Sequence, residues 1–183
     1  MNRMSICLAL AASFALAALP MTNAHAAAPA MAAMGSAEAT LQSADPKVSG
    51  AVHFTQEGSG VHVVAEVSGV PPGKHGFHLH ETGVCTPPDY KSAGGHWNPG
   101  HAGHACMPVE PRHAGDLGNI TVGSDGKGHL DVVLSGVSVS GADSVIGKAV
   151  VLHAAEDDCK TQPTGNAGGR LACGVVQAGA MAH

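Results

Sequence analysis

The sequence predicts an all-β fold in which about eight short strands form a barrel or a flattened sandwich. Residues 61–68 place apolar side chains at every second position, which is the period of a strand with one buried face. The dipeptide Asp125-Gly126 lies between two short apolar runs and is a strong signal of a β-hairpin turn. No long segment of the 183 residues shows the 3.6-residue period of an amphipathic helix.

The first 26 residues predict a secretory signal peptide. Arg3 precedes an uncharged, mostly apolar run over residues 5–19, and the small-residue site Ala24-His25-Ala26 follows. The run is shorter than the roughly 20 residues that cross a bilayer as a helix. We therefore expect cleavage after Ala26, no membrane span in the mature chain, and a periplasmic or secreted location.

Residues 27–46 are rich in alanine and methionine and predict a flexible tail. A single domain is expected at residues 47–178, followed by a short C-terminal tail at residues 179–183. The chain is mildly acidic, with a formal net charge of −5, and it has no run of basic residues. This composition argues against a nucleic-acid partner.

The domain is expected to begin with a hairpin of residues 47–54 and 61–68. Later strands are expected at residues 75–80, 120–122, 129–134, 148–153 and 171–176. Two connections, at residues 82–115 and 154–169, are much longer than simple turns. Loops of this length in a compact domain usually carry function, and both of them follow strands that contain histidines.

The strand around residue 78 carries the main functional signal. His78 and His80 occupy alternate positions, so in a strand their side chains point to one face, about 6.6 Å apart along the chain. Phe77 and Leu79 then face the opposite side, toward the core. Two imidazoles on one face can hold one metal ion. The alternative is a pair of surface histidines on an edge strand.

Further potential metal ligands lie in the long loops or next to the strands that border them: His96, His101, His104, His113, Asp116 and His153. Four histidines suit a tetragonal copper(II) site, and three histidines with one aspartate make a closed zinc site. The chain contains enough ligands for both sites if His96 uses both of its ring nitrogens. Either His101 or His104 can complete the zinc set.

The cysteines predict two disulfide bonds. Cys7 is expected to leave with the signal peptide, and the other four are Cys85, Cys106, Cys159 and Cys173. An even number of cysteines in an oxidising compartment favours disulfide formation. Their spacing alone leaves all three pairings open.

Several motifs, in this order, make the chain resemble the copper/zinc superoxide dismutases, and in particular their exported bacterial type. The resemblance covers residues 48–177. The matching motifs are Gly76-Phe77-His78-Leu79-His80, Gly95-His96-Trp97-Asn98-Pro99, His113-Ala114-Gly115-Asp116-Leu117-Gly118-Asn119, Val151-Leu152-His153 and Gly165-Asn166-Ala167-Gly168-Gly169-Arg170-Leu171-Ala172-Cys173-Gly174-Val175.

This resemblance implies an eight-stranded Greek-key β-barrel, or flattened immunoglobulin-like sandwich, with two long functional loops. It implies an enzyme that converts two superoxide anions and two protons into O2 and H2O2 by cycling copper between Cu(II) and Cu(I). Such an enzyme protects the cell envelope from superoxide. Relatives of this type include monomers and homodimers, and the sequence does not choose between them.

The resemblance also assigns roles to residues. Copper is bound by His78, His80, His96 and His153, and zinc by His96, His104, His113 and Asp116. His104 fits the family spacing better than His101, and His96 is also a catalytic group that takes up a proton. Arg170 receives the anionic substrate beside copper. Asp157 links a copper ligand to a zinc ligand, and Cys85 pairs with Cys173.

A second disulfide follows from the implied role of Asp157. Cys106 lies two residues after His104, and Cys159 lies two residues after Asp157. If Asp157 contacts His104, the two cysteines come within the range of a disulfide bond. We therefore predict a Cys106–Cys159 bond that ties the two long loops together, with two free thiols as the alternative.

Two other classes of protein are consistent with a similar fold. A copper-carrying protein without turnover is expected to lack a copper ligand or Arg170, and a copper-only enzyme is expected to lack His96, His113 and Asp116. The sequence contains all of these residues. The histidines interpreted as ordinary surface residues are His53, His62 and His129. His75 is interpreted as a brace for a loop carbonyl.

Overall fold

The computed structural model describes residues 35–179. The predicted signal peptide, residues 27–34 of the predicted tail and residues 180–183 lie outside the described residues. Within the described range the strands are β1 Ser36–Ser43, β2 Ser49–Glu57, β3 Gly60–Ser68, β4 Gly73–His80, β5 Asp116–Val122, β6 Gly128–Ser135, β7 Ala149–His153, β8 Arg170–Val175 and β9 Gln177–Ala178. A short 3-10 turn lies at Lys91–Ala93. No helix between residues 35 and 179 is long and apolar enough to cross a membrane.

Eight of these strands close into a barrel with antiparallel pairings. The order around the barrel is β1-β2-β3-β6-β5-β4-β7-β8, and β8 returns to β1 at Gln42 and Ser43. β4 follows β3 along the chain, but β3 pairs with β6, which is the crossover of a Greek key. The prediction of an all-β, eight-stranded Greek-key barrel is confirmed.

The prediction of a flexible tail at residues 27–46 is wrong for Ser36–Ser43, which form β1. This strand pairs with β2 and also contacts β8 and β9. Ala37, Ala39 and Leu41 are buried, and the side chains between them are exposed. The alternation is that of a half-buried strand, but alanine is a weak strand former and hides it.

β4 connects the hydrophobic core to the functional residues. Phe77 and Leu79 are fully buried in the core, as predicted, and His78 and His80 lie on the opposite face. β4 pairs with both β5 and β7, and both histidines are fully buried, which excludes the alternative of surface histidines on an edge strand. A side chain at Gly76 would come within 2.8 Å of Ala167, so glycine lets the second long loop pack here.

Two disulfides hold the long loops. Cys85 in the first loop is bonded to Cys173 in β8, with their Cα atoms 5.6 Å apart. Cys106 in the first loop is bonded to Cys159 in the second, with their Cα atoms 5.0 Å apart. The second bond therefore joins the two loops directly.

The variant Leu41→Ala tests β1 as part of the barrel. Leu41 is 2% exposed, so its truncation should leave a cavity and lower the free energy of unfolding by about 2–5 kcal/mol. Denaturant unfolding of the mature protein measures this loss. The control Glu38→Ala, on the exposed face of β1, should change the free energy by at most about 0.5 kcal/mol. Equally small effects of both variants would show that Leu41 does not pack in the core as described.

The double variant Cys106→Ser, Cys159→Ser tests the link between the loops. The bonded residues are 53 apart in sequence, and closing such a loop constrains the unfolded chain. We expect the free energy of unfolding to fall by about 2–4 kcal/mol, measured by denaturant unfolding. Peptide mapping without reduction should find the Cys85–Cys173 pair in both proteins. Alkylation of Cys106 and Cys159 in the unreduced parent protein would contradict the bond.

Candidate metal centre

Four histidine rings meet in a first buried group. β4 provides His78 and His80, β7 ends with His153, and His96 of the first long loop joins them through an isolated bridge to His80. One ring nitrogen of each histidine lies within 4.8 Å of the others. The Nε2 atoms of His80 and His153 are 3.3 Å apart. We call these residues the first group.

The second group consists of His96, His104, His113 and Asp116, whose ligand atoms again lie within 4.8 Å of one another. Asp116 begins β5 and is fully buried. Its Oδ1 lies 2.7 Å from His96 Nδ1, and its Oδ2 accepts a hydrogen bond from the His113 backbone N–H at 3.2 Å. The carboxylate therefore orients two histidines of its own group.

The unpaired ring nitrogens show that both groups fit metal ions. Among the described residues, the buried nitrogens that make no hydrogen bond are His78 Nδ1, His96 Nε2, His104 Nδ1 and His113 Nδ1. Buried polar atoms without partners are costly, and a metal ion in each group would satisfy them. Four nitrogen ligands suit copper(II), and three nitrogens with one carboxylate oxygen suit zinc.

Burial lowers the pKa values of three histidines in the first group, which are His78, His80 and His153. The pKa of His78 falls to about 4, that of His153 to about 3 and that of His80 to about 2, mainly because a charged ring would lose its hydration. These rings are therefore neutral at pH 7. A neutral imidazole can donate a lone pair to a metal ion, so these three rings can bind metal at neutral pH without first losing a charge-carrying proton.

Asp157 in the second long loop contacts one histidine of each group. Its Oδ2 lies 2.7 Å from His78 Nε2, and its Oδ1 lies 3.0 Å from His104 Nε2. Burial alone would raise the pKa of Asp157, but the contacts with these two rings hold it well below its usual range. The same contacts direct the Nδ1 atoms of both histidines toward their groups.

Asn119 is a supporting residue to which the sequence analysis gave no role. Its Nδ2 donates a hydrogen bond to the Asp157 backbone carbonyl at 2.9 Å, and its Oδ1 accepts one from the Asp157 N–H at 2.8 Å. The side chain thus holds the main chain of Asp157 against β5. Asn119 ends the motif that begins at His113, but its partner Asp157 lies 38 positions away, and no local pattern reveals the pair.

Arg170 begins β8 beside the first group and lies opposite His153 in the pairing of β7 and β8. Its Nη1 donates a hydrogen bond to the Tyr90 carbonyl at 2.5 Å, and its Nη2 donates one to the Gly94 carbonyl at 2.6 Å. The Gly94 carbonyl also lies 2.9 Å from His80 Nδ1. One carbonyl therefore positions the partly exposed guanidinium relative to a histidine of the first group.

Within residues 35–179, the other histidines lie outside the two groups. His104 belongs to the second group, whereas His101 is exposed. The histidines interpreted as surface residues lie on outward-facing strand positions: His53, His62 and His129. His75 is buried, and its ring nitrogens lie 2.9 Å from the His153 carbonyl and 2.8 Å from the Pro71 carbonyl. It therefore braces the end of β7.

Comparisons with known proteins agree with this geometry. The family model described as copper/zinc superoxide dismutase (SODC) matches residues 48–176. An extracellular superoxide dismutase (Cu-Zn) of Brugia pahangi is 41% identical over 147 residues, which cover 75% of this chain and 73% of that protein. A solved structure described as the clock protein EA4 has a TM-score of 0.72 and 39% identity, over 78% of this chain and 94% of that one. The chain therefore belongs to the copper/zinc superoxide dismutase family.

Proposed function

We propose that the first group binds copper, that the second group binds zinc, and that His96 bridges the two ions in a superoxide dismutase. The main observation that supports this proposal is that both groups share the ring of His96. His96 Nδ1 lies 2.7 Å from Asp116 Oδ1 in the second group, whereas His96 Nε2 is buried and makes no hydrogen bond. The copper ligands are His78, His80, His96 and His153, and the zinc ligands are His96, His104, His113 and Asp116.

Bound copper supplies one-electron chemistry, through which one superoxide is oxidised to O2 and a second is reduced to H2O2. The reduction consumes two protons, so the chain needs a proton carrier beside the first group. His96 Nε2 is suited to this role because it is buried and has no hydrogen-bond partner among the described residues. Asp116 fixes the opposite edge of the ring, so a proton on Nε2 would keep a constant position.

Arg170 is the proposed docking residue for superoxide. The carbonyls of Tyr90 and Gly94 fix the plane of its guanidinium, which retains further N–H donors for a small anion. The whole chain has a net charge of −5, so an anionic substrate needs a local positive charge to attract it. Lys160 in the second long loop is a second candidate for this attraction.

We further propose that the enzyme is exported, as a periplasmic member of the bacterial type. The signal-like pattern of residues 1–26 supports this, and two disulfides are typical of an oxidising compartment. The relative from Brugia pahangi is itself named an extracellular enzyme. Association into a homodimer stays a prediction from the family resemblance, which analytical ultracentrifugation tests.

The variant His96→Ala tests the bridge. The mature parent protein should contain one copper and one zinc per chain by elemental analysis. Removing the His96 ring should lower superoxide turnover by about 100-fold or more, since general acid–base groups contribute at least this much. The barrel should remain folded, as judged by circular dichroism.

The control for this experiment is His101→Ala, which removes an exposed histidine from the same loop. This variant should keep both metals and full turnover. An active parent protein that contains only zinc, or a His96→Ala variant with parental activity, would refute the proposed bridge.

The variant Arg170→Ala tests substrate docking. Loss of a charge-assisted contact should lower kcat/KM for superoxide about tenfold to a hundredfold and weaken inhibition by azide, both measured at low ionic strength. Arg170→Lys should retain part of the activity because it keeps the charge. Lys47→Ala changes the net charge equally at an exposed site in the turn before β2 and should have little effect. Parental kinetics in Arg170→Ala would exclude the docking role.

A further inference from the structure

The main chain of His104 lacks the strand or bridge partners that support the proposed copper ligands. His78, His80 and His153 lie in β4 and β7, and His96 forms an isolated bridge with His80. His104 lies in the first long loop, outside every strand, yet it is only 4% exposed. A buried residue of this kind must satisfy its backbone N–H and C=O without a strand partner.

The side chain of Gln162 provides both missing partners. Its Oε1 accepts a hydrogen bond from the His104 N–H at 2.7 Å, and its Nε2 donates one to the His104 carbonyl at 2.8 Å. A primary amide carries the same donor and acceptor as a peptide group. Gln162 therefore replaces a neighbouring strand for this one residue.

The loop that presents Gln162 is itself held in a closed turn. Asp158 Oδ1 accepts hydrogen bonds from the backbone N–H groups of Lys160 at 3.0 Å and Thr161 at 2.8 Å. The Gly165 N–H donates to the Thr161 carbonyl at 2.6 Å and closes the turn. Cys159, next to Asp158, is bonded to Cys106 of the first loop. This turn thus brings the amide of Gln162, an exposed residue, against the main chain of His104.

We propose that Gln162 is a positioning residue for zinc binding. Its side chain holds the main chain of His104 so that His104 Nδ1 faces the second group with or without metal. This role rests on the zinc assignment proposed above. His104 Nε2 is fixed separately, 3.0 Å from Asp157 Oδ1. The other ring nitrogen of His104, Nδ1, makes no hydrogen bond and lies 2.9 Å from Asp116 Oδ2, so it is the His104 atom available to the metal.

The variant Gln162→Met tests this role, because methionine has a similar length and removes both hydrogen bonds. Zinc affinity, measured by competition with a chelator, should fall about tenfold to a hundredfold. The visible absorption bands of cobalt(II) bound in place of zinc should change, because they report ligand geometry. In the metal-free protein, the His104 amide should exchange with solvent faster. Gln162→Glu keeps the acceptor for the His104 N–H and should recover part of each property.

The control is Thr164→Ala in the same loop, which removes no hydrogen bond to His104 and should leave all three measurements unchanged. Equal effects of Thr164→Ala and Gln162→Met would overturn the role, because they would indicate a general loosening of the loop. Parental zinc affinity and cobalt spectrum in Gln162→Met would also overturn it, even with a lower melting temperature. Failure of the zinc assignment is distinguishable, because the parent protein itself would then bind no cobalt(II) at the second group.

Discussion

The contacts of the Asp157 carboxylate determine how both metal groups are arranged. One oxygen lies 2.7 Å from His78 Nε2 and the other lies 3.0 Å from His104 Nε2. A single buried side chain therefore fixes one ring of each group and leaves the Nδ1 atoms of both rings free. A charged residue that is 1% exposed is tolerated only when it is paired. The position of Asp157 thus depends on the two histidines as much as theirs depends on Asp157.

The barrel and the loops support the two groups by different means. Three proposed copper ligands lie on β4 and β7, whose main chains are held by strand pairing and by the core on the opposite face of β4. The histidines of the zinc group lie in a loop outside the named strands, where ordering each residue costs conformational entropy. Side-chain amides take the place of strand partners there: Asn119 holds Asp157, and Gln162 holds His104. These contacts offset the cost without requiring the metal.

Short sequence patterns predicted most strands and the ligand types, because both are visible in a few neighbouring residues. His78 and His80 show this best, since alternate positions in a strand share a face. β1 was missed because two of its three buried residues, Ala37 and Ala39, are alanines within an alanine-rich segment. Asn119 and Gln162 gave no local signal, because their partners lie 38 and 58 residues away and only the barrel topology brings them together.

The Cys106–Cys159 bond shows how the contacts on the zinc side depend on one another. Spacing alone left three cysteine pairings, and the contact between Asp157 and His104 selects one, since each cysteine lies two residues beyond a contact partner. The carboxylate contact and the disulfide together place the loop in which Gln162 faces His104. Loss of the carboxylate contact is therefore expected to loosen the amide contact as well. The copper ligands on β4 and β7 would keep their strand partners. Removal of the Asp157 carboxylate should therefore disturb the positions of the zinc ligands more than those of the copper ligands.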